Sequence, residues 1–201
     1  MRGAWTPHSH SAWLNKPRPG AKNPFSRHRI STYIFFCAAE AIRRRGHTGK
    51  TSMLNDVYNA KILELAGNIP RLGRLAAPDA SATAHSRLCG STVTVDLRLD
   101  RGAVAEFAHD VKACALGQAS SSIMASHVVG STASELRELR ETVRKMLKEN
   151  GSPPQGKWAD IALLEPVRDY KARHASTMLT FDAVVDAIGQ IEAKARKLAS
   201  A

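Results

Sequence analysis

Residues 92–99 form the pattern that most limits how this chain can fold. They alternate polar and apolar side chains (Thr-Val-Thr-Val-Asp-Leu-Arg-Leu), which is typical of a strand with one buried face. Asp100-Arg101-Gly102 then predicts a tight hairpin turn, and residues 104–111 predict the returning strand. Another strand is predicted at residues 82–88. Three consecutive strands with short connections favour an antiparallel sheet that has one face covered by helices.

Helical spacing of apolar residues dominates the remainder of the chain after residue 53. The predicted helices cover residues 54–67, 114–128, a stretch that follows a capping box at 132–135 and ends near 150, a short piece at 158–164, and 176–199. Ser176 is the expected N-cap of the last helix, because serine favours that position. The sequence therefore predicts an α+β fold: a small antiparallel three-stranded sheet packed against helices.

The first 52 residues differ in composition from the rest. They hold ten Lys/Arg and one acidic residue, and so carry +9 of the net charge of +11. We expect residues 1–52 to be a basic extension, disordered or not native to the protein, with Met53 as the true start and the domain at 53–201; an organelle transit peptide is the alternative. Because the body is nearly neutral and no apolar run could span a bilayer, neither nucleic acid nor a membrane is an expected partner.

The chain has three cysteines, Cys37, Cys89 and Cys114. An odd and low count favours free thiols in the reducing cytoplasm over a disulfide framework. Cys114 opens a predicted helix, where unpaired N–H groups and the helix dipole stabilise a thiolate. Cys89 precedes Gly90, which permits an unusual backbone angle. Taken alone, each cysteine could equally be a small core residue, and only a tertiary fold would bring the two together.

Other candidate sites carry less weight. Residues 46–51 have too few residues between their glycines for a phosphate loop, and residues 120–122 lack the surroundings of a hydrolase nucleophile. His174, in a predicted loop, offers an imidazole to a metal. Of His109 and Asp110, strand alternation places only one on the side of Cys114.

Four stretches together resemble the NifU/IscU/SufU family of iron–sulfur cluster assembly scaffolds, over residues 54–192. They are the opening helix at 58–63, Leu88-Cys89-Gly90-Ser91 with the strand after it, Cys114 followed by Ala119-Ser120, and residues 173–183 of the last helix. The resemblance implies the same α+β fold. It also implies a non-enzymatic protein that receives sulfur from a cysteine desulfurase and passes clusters to apoprotein clients.

The resemblance assigns the site residue by residue. Family members hold a [2Fe–2S] cluster or a zinc ion with three cysteines and an aspartate. Cys89 and Cys114 match two of those cysteines and are implied as ligands, whereas Ser91 stands in place of the aspartate and Ser176 in place of the third cysteine. Neutral serine hydroxyls are poor ligands for iron, which prefers thiolates.

Two thiolates per chain leave several ways to complete a site. A homodimer would supply four thiolates to a [2Fe–2S] cluster, or His174 or Asp110 would complete an iron site within one chain. Cys89, Cys114 and His174 with a water would suit zinc in a persulfide acceptor of the SufU type. A metal-free binding module, and nucleic-acid binding through the basic extension, are the remaining alternatives.

Overall fold

Three antiparallel strands in the order β1-β2-β3 form the sheet of this fold. The structure, a computed structural model, describes residues 58–200. The strands cover Ala80–His85 (β1), Thr92–Asp100 (β2) and Ala103–Lys112 (β3). The predicted sheet and the α+β class are confirmed, while the extension predicted at residues 1–52 lies outside the described residues.

A two-residue turn joins β2 to β3. Arg101 and Gly102 both have positive φ, at 48° and 83°. Two such residues form a type I′ turn, whose twist matches that of the flanking strands. The predicted hairpin is therefore confirmed, and its alternation turns Val93, Val95 and Leu97 into the core.

Helical segments cover one face of the sheet. Within residues 58–200 they are Ala60–Gly67 (α1), Ala115–His127 (α2), Ala133–Lys148 (α3), a 3-10 segment at Gly156–Asp169, and Lys171–Ala199 (α4). The last of these, α4, packs against β1, β2, α2 and α3, and it buries Phe181 in the core. No helix among these residues is long and apolar enough to cross a membrane.

Side chains cap the N-termini of α1 and α3. Asn59 caps α1 by accepting a hydrogen bond from the backbone N–H of Ile62 at 2.9 Å, so α1 begins at Ala60; residues 54–57 of the predicted helix lie outside the described residues. Thr132 Oγ1 accepts from the N–H of Glu135 at 3.2 Å, as its capping box predicts. The Glu135 carboxylate does not complete the box: it accepts from the Trp158 indole at 2.8 Å.

Two further predicted boundaries are wrong. The first strand ends at His85 rather than residue 88, because Ser86 and Ser91 close a turn through an N–H to carbonyl bond of 2.8 Å. The last helix begins at Lys171 rather than Ser176. Ser176 is therefore no N-cap: it lies inside α4, where its hydroxyl donates to the carbonyl of Arg173 at 3.0 Å.

A buried carboxylate makes the stability of this fold depend on pH. Asp96 is fully buried in β2 and accepts from Arg74 Nε at 2.6 Å and from the backbone N–H of Leu75 at 3.1 Å. Burial opposes its ionisation, but these hydrogen bonds and the Arg74 charge outweigh that and lower the pKa of Asp96. Its contribution to stability is thus complete above about pH 3.9, the unfolded value, and is lost as pH falls through the lower folded pKa.

We expect Asp96→Asn to lower the free energy of unfolding at pH 7 by about 1.5–3 kcal/mol, because a charge-assisted hydrogen-bond network is lost. Thermal unfolding from pH 7 to pH 2 measures this. The difference between wild type and variant should shrink at the acid end. Asp110→Asn, at a half-exposed carboxylate paired with Lys112, is the control and should shift little at any pH. A pH-independent gap between wild type and Asp96→Asn would contradict the assignment.

Candidate functional site

The β2–β3 hairpin brings Cys89 and Cys114 to the same end of the sheet. Thr92, the first residue of β2, pairs with Lys112, the last residue of β3. Cys89 lies just before this pair along the chain and Cys114 just after it. The pairing of two neighbouring strands therefore brings the two cysteines near each other, although from the sequence alone we expected this to require contacts from the whole fold.

One hydroxyl contacts both cysteines. The Cys89 thiol donates to Ser91 Oγ at 3.0 Å, and the backbone N–H of Cys114 donates to the same oxygen at 3.3 Å. Cys114 lies at the N-terminus of α2, as predicted, but as its N-cap rather than its first helical residue, and its side chain makes no capping bond. The family resemblance placed Ser91 only at the position of the aspartate ligand, and no sequence pattern around it predicted hydrogen bonds to both cysteines.

Cys89 sits at the tip of a closed turn. Gly90 has φ +69° and donates its N–H to the carbonyl of Ser86 at 2.9 Å, so the backbone freedom predicted for this glycine is used. The thiol of Cys89 also lies 3.3 Å from the Ser86 hydroxyl. Cys89 itself is exposed, and the neighbouring Leu88 is 75% exposed. A partner could reach the thiol without a change in the sheet.

The surroundings of Cys89 favour its thiolate. Partial burial opposes ionisation, but the Ser86 and Ser91 hydroxyls, which can turn to donate to a thiolate, the Ser91 backbone N–H and the positive charge of Arg173 together lower the pKa of Cys89 below its ordinary value. Since the thiolate is both the nucleophile and the metal ligand of cysteine, this arrangement suits either task.

The start of α4 packs closely against α2 beside this site. A methyl group built on Gly117 would lie 2.7 Å from the Ala113 Cβ and 3.0 Å from the carbonyl oxygen of Ser176. Only glycine lets the two helices approach this far. Ser176, in place of the family's third cysteine, is fully buried next to the first turn of the helix that Cys114 opens.

His174 is not brought to the cysteines. Its ring is nine-tenths buried, and Nε2 donates to the carbonyl of Arg168 at 2.9 Å. Two residues along a helix point to nearly opposite sides, so His174 faces away from the side on which Ser176 meets α2. It lines a groove of about 340 Å³ between α3 and α4, together with Arg140, Arg144 and Lys171.

His109 and Asp110 also have other partners. His109 is fully buried in β3, where its Nε2 donates to the carbonyl of Pro70 at 2.9 Å and burial lowers its pKa. Asp110 is half-exposed and pairs with Lys112 at 3.2 Å. Within residues 58–200, no group of three or more His, Cys, Asp or Glu side chains is arranged to hold a metal ion.

Two free cysteines at one end of a three-stranded sheet, with helices on one face of that sheet, define a small α+β domain with a cysteine-bearing hairpin end. The family model of the NifU-like N terminal domain matches residues 57–177. The chain belongs to this family. Cys89 and Cys114, and also Ser176, lie within the matched residues.

Curated relatives and solved structures agree with this family. The chain is 24% identical to the iron–sulfur cluster assembly scaffold protein IscU of Thermotoga maritima, over 67% of this chain and 94% of the relative. The IscU of Streptococcus pyogenes serotype M1 is also 24% identical, over 68% and 86%. Both alignments thus span most of the relatives' length.

Among solved structures, the N-terminal part of a nitrogen-fixing NifU-like protein from Brucella abortus is 65% identical. It superimposes with a TM-score of 0.70 and covers 71% of this chain and 99% of its own. A protein described as a SUF-system scaffold from Fervidobacterium islandicum AW-1 is 19% identical, has a TM-score of 0.62, and covers 66% and 97%. This second likeness shows the fold alone.

Proposed function

We propose that this chain is an iron–sulfur cluster assembly scaffold, which holds iron or a labile cluster on Cys89 and Cys114 and passes it on. The observation that carries the proposal is the pair of free cysteines joined through Ser91 at the end of the hairpin. Membership of the NifU-like family and the names of the IscU relatives support it. The cluster is cargo in this role, so the chain need not catalyse a reaction.

The geometry of the two thiols suits temporary binding. Thiolates are the preferred ligands of iron–sulfur irons, and the environment of Cys89 favours its thiolate. The exposed position of Cys89 leaves one side of a bound cluster open to an incoming or departing partner. A fully enclosed site would retain its cluster, whereas this one allows transfer.

Two cysteines per chain fix the stoichiometry that we propose. A [2Fe–2S] cluster takes four protein ligands, so two chains would share one cluster through Cys89 and Cys114 of each. His174 would join such a site only after it gives up its hydrogen bond to the carbonyl of Arg168 in the 3-10 segment and turns toward the cysteines. The same requirement applies to a zinc site made of Cys89, Cys114 and His174.

The partners of the proposed function follow from its chemistry. A cysteine desulfurase would deliver sulfur as a persulfide, and apoproteins with vacant cysteines would receive the cluster. Free thiols are compatible with the reducing cytoplasm, where we place the protein.

The proposal is tested by anaerobic reconstitution of the full chain with ferrous iron, cysteine, a cysteine desulfurase and a dithiol reductant, which reduces the persulfide sulfur to the sulfide of the cluster. We expect about one iron and one sulfide per chain, visible absorption of a cluster, and a dimeric mass in native mass spectrometry. Cys37→Ser should bind equally and is the control for the third thiol. A colourless protein without iron would overturn the proposal, and bound zinc without sulfide would favour the persulfide acceptor.

Restoring a thiol on α4 should strengthen binding. Ser176→Cys places a third soft ligand beside the first turn of α2, and we expect iron loss to a chelator to slow by roughly tenfold. Ser122→Cys is the matched control, because Ser122 is also buried but contacts Asn68 instead of the cysteine site. Equal retention in Ser176→Cys and wild type would show that position 176 no longer faces the bound metal.

A further inference from the structure

The Ser91 hydroxyl is the one side-chain group among the described residues that is hydrogen-bonded to both Cys89 and Cys114. Its oxygen accepts from the Cys89 thiol at 3.0 Å and from the Cys114 N–H at 3.3 Å. Ser91 is only 4% exposed, so this oxygen lies beneath the thiol and out of bulk water. Two acceptor lone pairs are what such a double contact requires of a hydroxyl.

The contact with Cys114 also anchors α2. A helix N-terminus has backbone N–H groups without partners inside the helix, and a side chain normally satisfies one of them. The Cys114 side chain forms no such bond. Ser91, which directly precedes β2, supplies an acceptor for the backbone N–H of Cys114. The position of the α2 start therefore depends on the same atom that holds the Cys89 sulfur.

Ser86 provides an internal comparison. It is as buried as Ser91, at 2% exposure, and its hydroxyl lies 3.3 Å from the same sulfur. Its hydroxyl makes no hydrogen bond with Cys114. Loss of the Ser86 hydroxyl would remove one neighbour of Cys89, whereas loss of the Ser91 hydroxyl would release both cysteines from a common partner.

We propose that Ser91 is a positioning residue that holds Cys89 and Cys114 in register, so that both sulfurs meet one cargo. The inference rests on the proposed function for its biological use, but it concerns geometry that exists without metal. When Cys89 binds a metal in place of its proton, the Ser91 O–H can turn and donate to the sulfur. Hydrogen bonds of this kind orient metal ligands in many proteins.

The first measurement uses metal-free full chain that carries Cys37→Ser, so that two thiols remain. A trivalent arsenical, p-aminophenylarsine oxide, exchanges its oxygen for two As–S bonds and releases water, and intact mass reports the bridged adduct. We expect wild type to form this adduct, Ser91→Ala to form it about fivefold more slowly, and Ser86→Ala to stay within about twofold of wild type. Ser91→Thr keeps the hydroxyl and should restore the rate.

Alkylation by iodoacetamide, which needs only one thiol, shows whether each cysteine remains accessible, and thermal unfolding shows whether the variants fold. Equal bridging rates in Ser91→Ala and wild type would overturn the inference. Equal slowing in Ser91→Ala and Ser86→Ala would also overturn it, since the effect would then belong to the turn as a whole.

Iron reconstitution of the same variants separates this inference from the proposed function. If wild type bridges the arsenical in a Ser91-dependent way but takes up no iron, the scaffold proposal fails and the positioning role stands. If wild type loads iron and Ser91→Ala loads and retains it equally, the positioning role fails and the scaffold proposal stands. We expect Ser91→Ala to lose iron to a chelator about fivefold faster than wild type.

Discussion

Replacing either Cys89 or Cys114 by serine is expected to reduce the iron bound per chain to below about a tenth of the wild-type amount. A neutral hydroxyl does not replace a thiolate on iron, and the shared cluster needs all four thiolates of two chains. The fold should survive, because Cys89 is exposed and Cys114 only partly buried at the edge of the core. The midpoint of thermal unfolding should move by less than about 3 °C.

Iron and sulfide analysis after anaerobic reconstitution checks this prediction, with Cys37→Ser as the cysteine variant that keeps its iron. A Cys89→Ser protein that assembles a cluster of normal absorption would remove this residue from the ligand set. A variant that loses iron together with its cooperative unfolding would show a structural role for the cysteine instead.

Gly117→Ala is expected to destabilise the protein by about 1–3 kcal/mol, although alanine is the better helix former. The added methyl group would lie 2.7 Å from the Ala113 Cβ and 3.0 Å from the Ser176 carbonyl oxygen, so Ala113 must shift and the α4 backbone must give way by a few tenths of an ångström. This movement shifts the helix that Cys114 opens. We therefore expect faster loss of iron as well as a lower unfolding midpoint.

Gly189→Ala is the matched control for this prediction. Gly189 is also inside a helix, α4, but a methyl group built on it meets nothing within 4 Å. Alanine should therefore stabilise the protein there by up to about 1 kcal/mol. Chemical denaturation of the two variants measures effects of opposite sign. If both glycines behave alike, the close contact of Gly117 with Ser176 is not a constraint on the fold.

The sheet could be predicted from the sequence because its signals are local. Alternation along residues 92–99 and a Gly102 turn specify a hairpin without reference to the rest of the chain, and the structure confirms it. Boundaries that depend on distant contacts were less predictable. Serine is a favoured N-cap residue, but α4 begins at Lys171, and its first turn is held by a hydrogen bond between His174 and the carbonyl of Arg168 that the sequence does not reveal.

The candidate site shows the same division. The sequence predicted that Cys114 lies at the N-terminus of α2, because the residues around it have the pattern of a helix start. The hydrogen bonds from Ser91 to both cysteines could not be predicted from the sequence. They depend on the pairing of Thr92 with Lys112, which sets how close Ser91 and Cys114 lie beyond the ends of the two strands. Likewise, helix periodicity puts His174 and Ser176 on opposite faces of α4, but this can be deduced only when the helix is known to begin at Lys171.

The two-residue turn of the β2–β3 hairpin has a consequence for the order of events during biosynthesis. Hairpins of neighbouring strands close in about 1–10 μs, whereas the ribosome adds only about 5–20 residues per second. The β2–β3 pair can thus form, and its two cysteines can approach, while residues 171–199 of α4 are still being translated. A nascent chain would then present the thiol pair before Ser176 arrives to cover the inner side of the site.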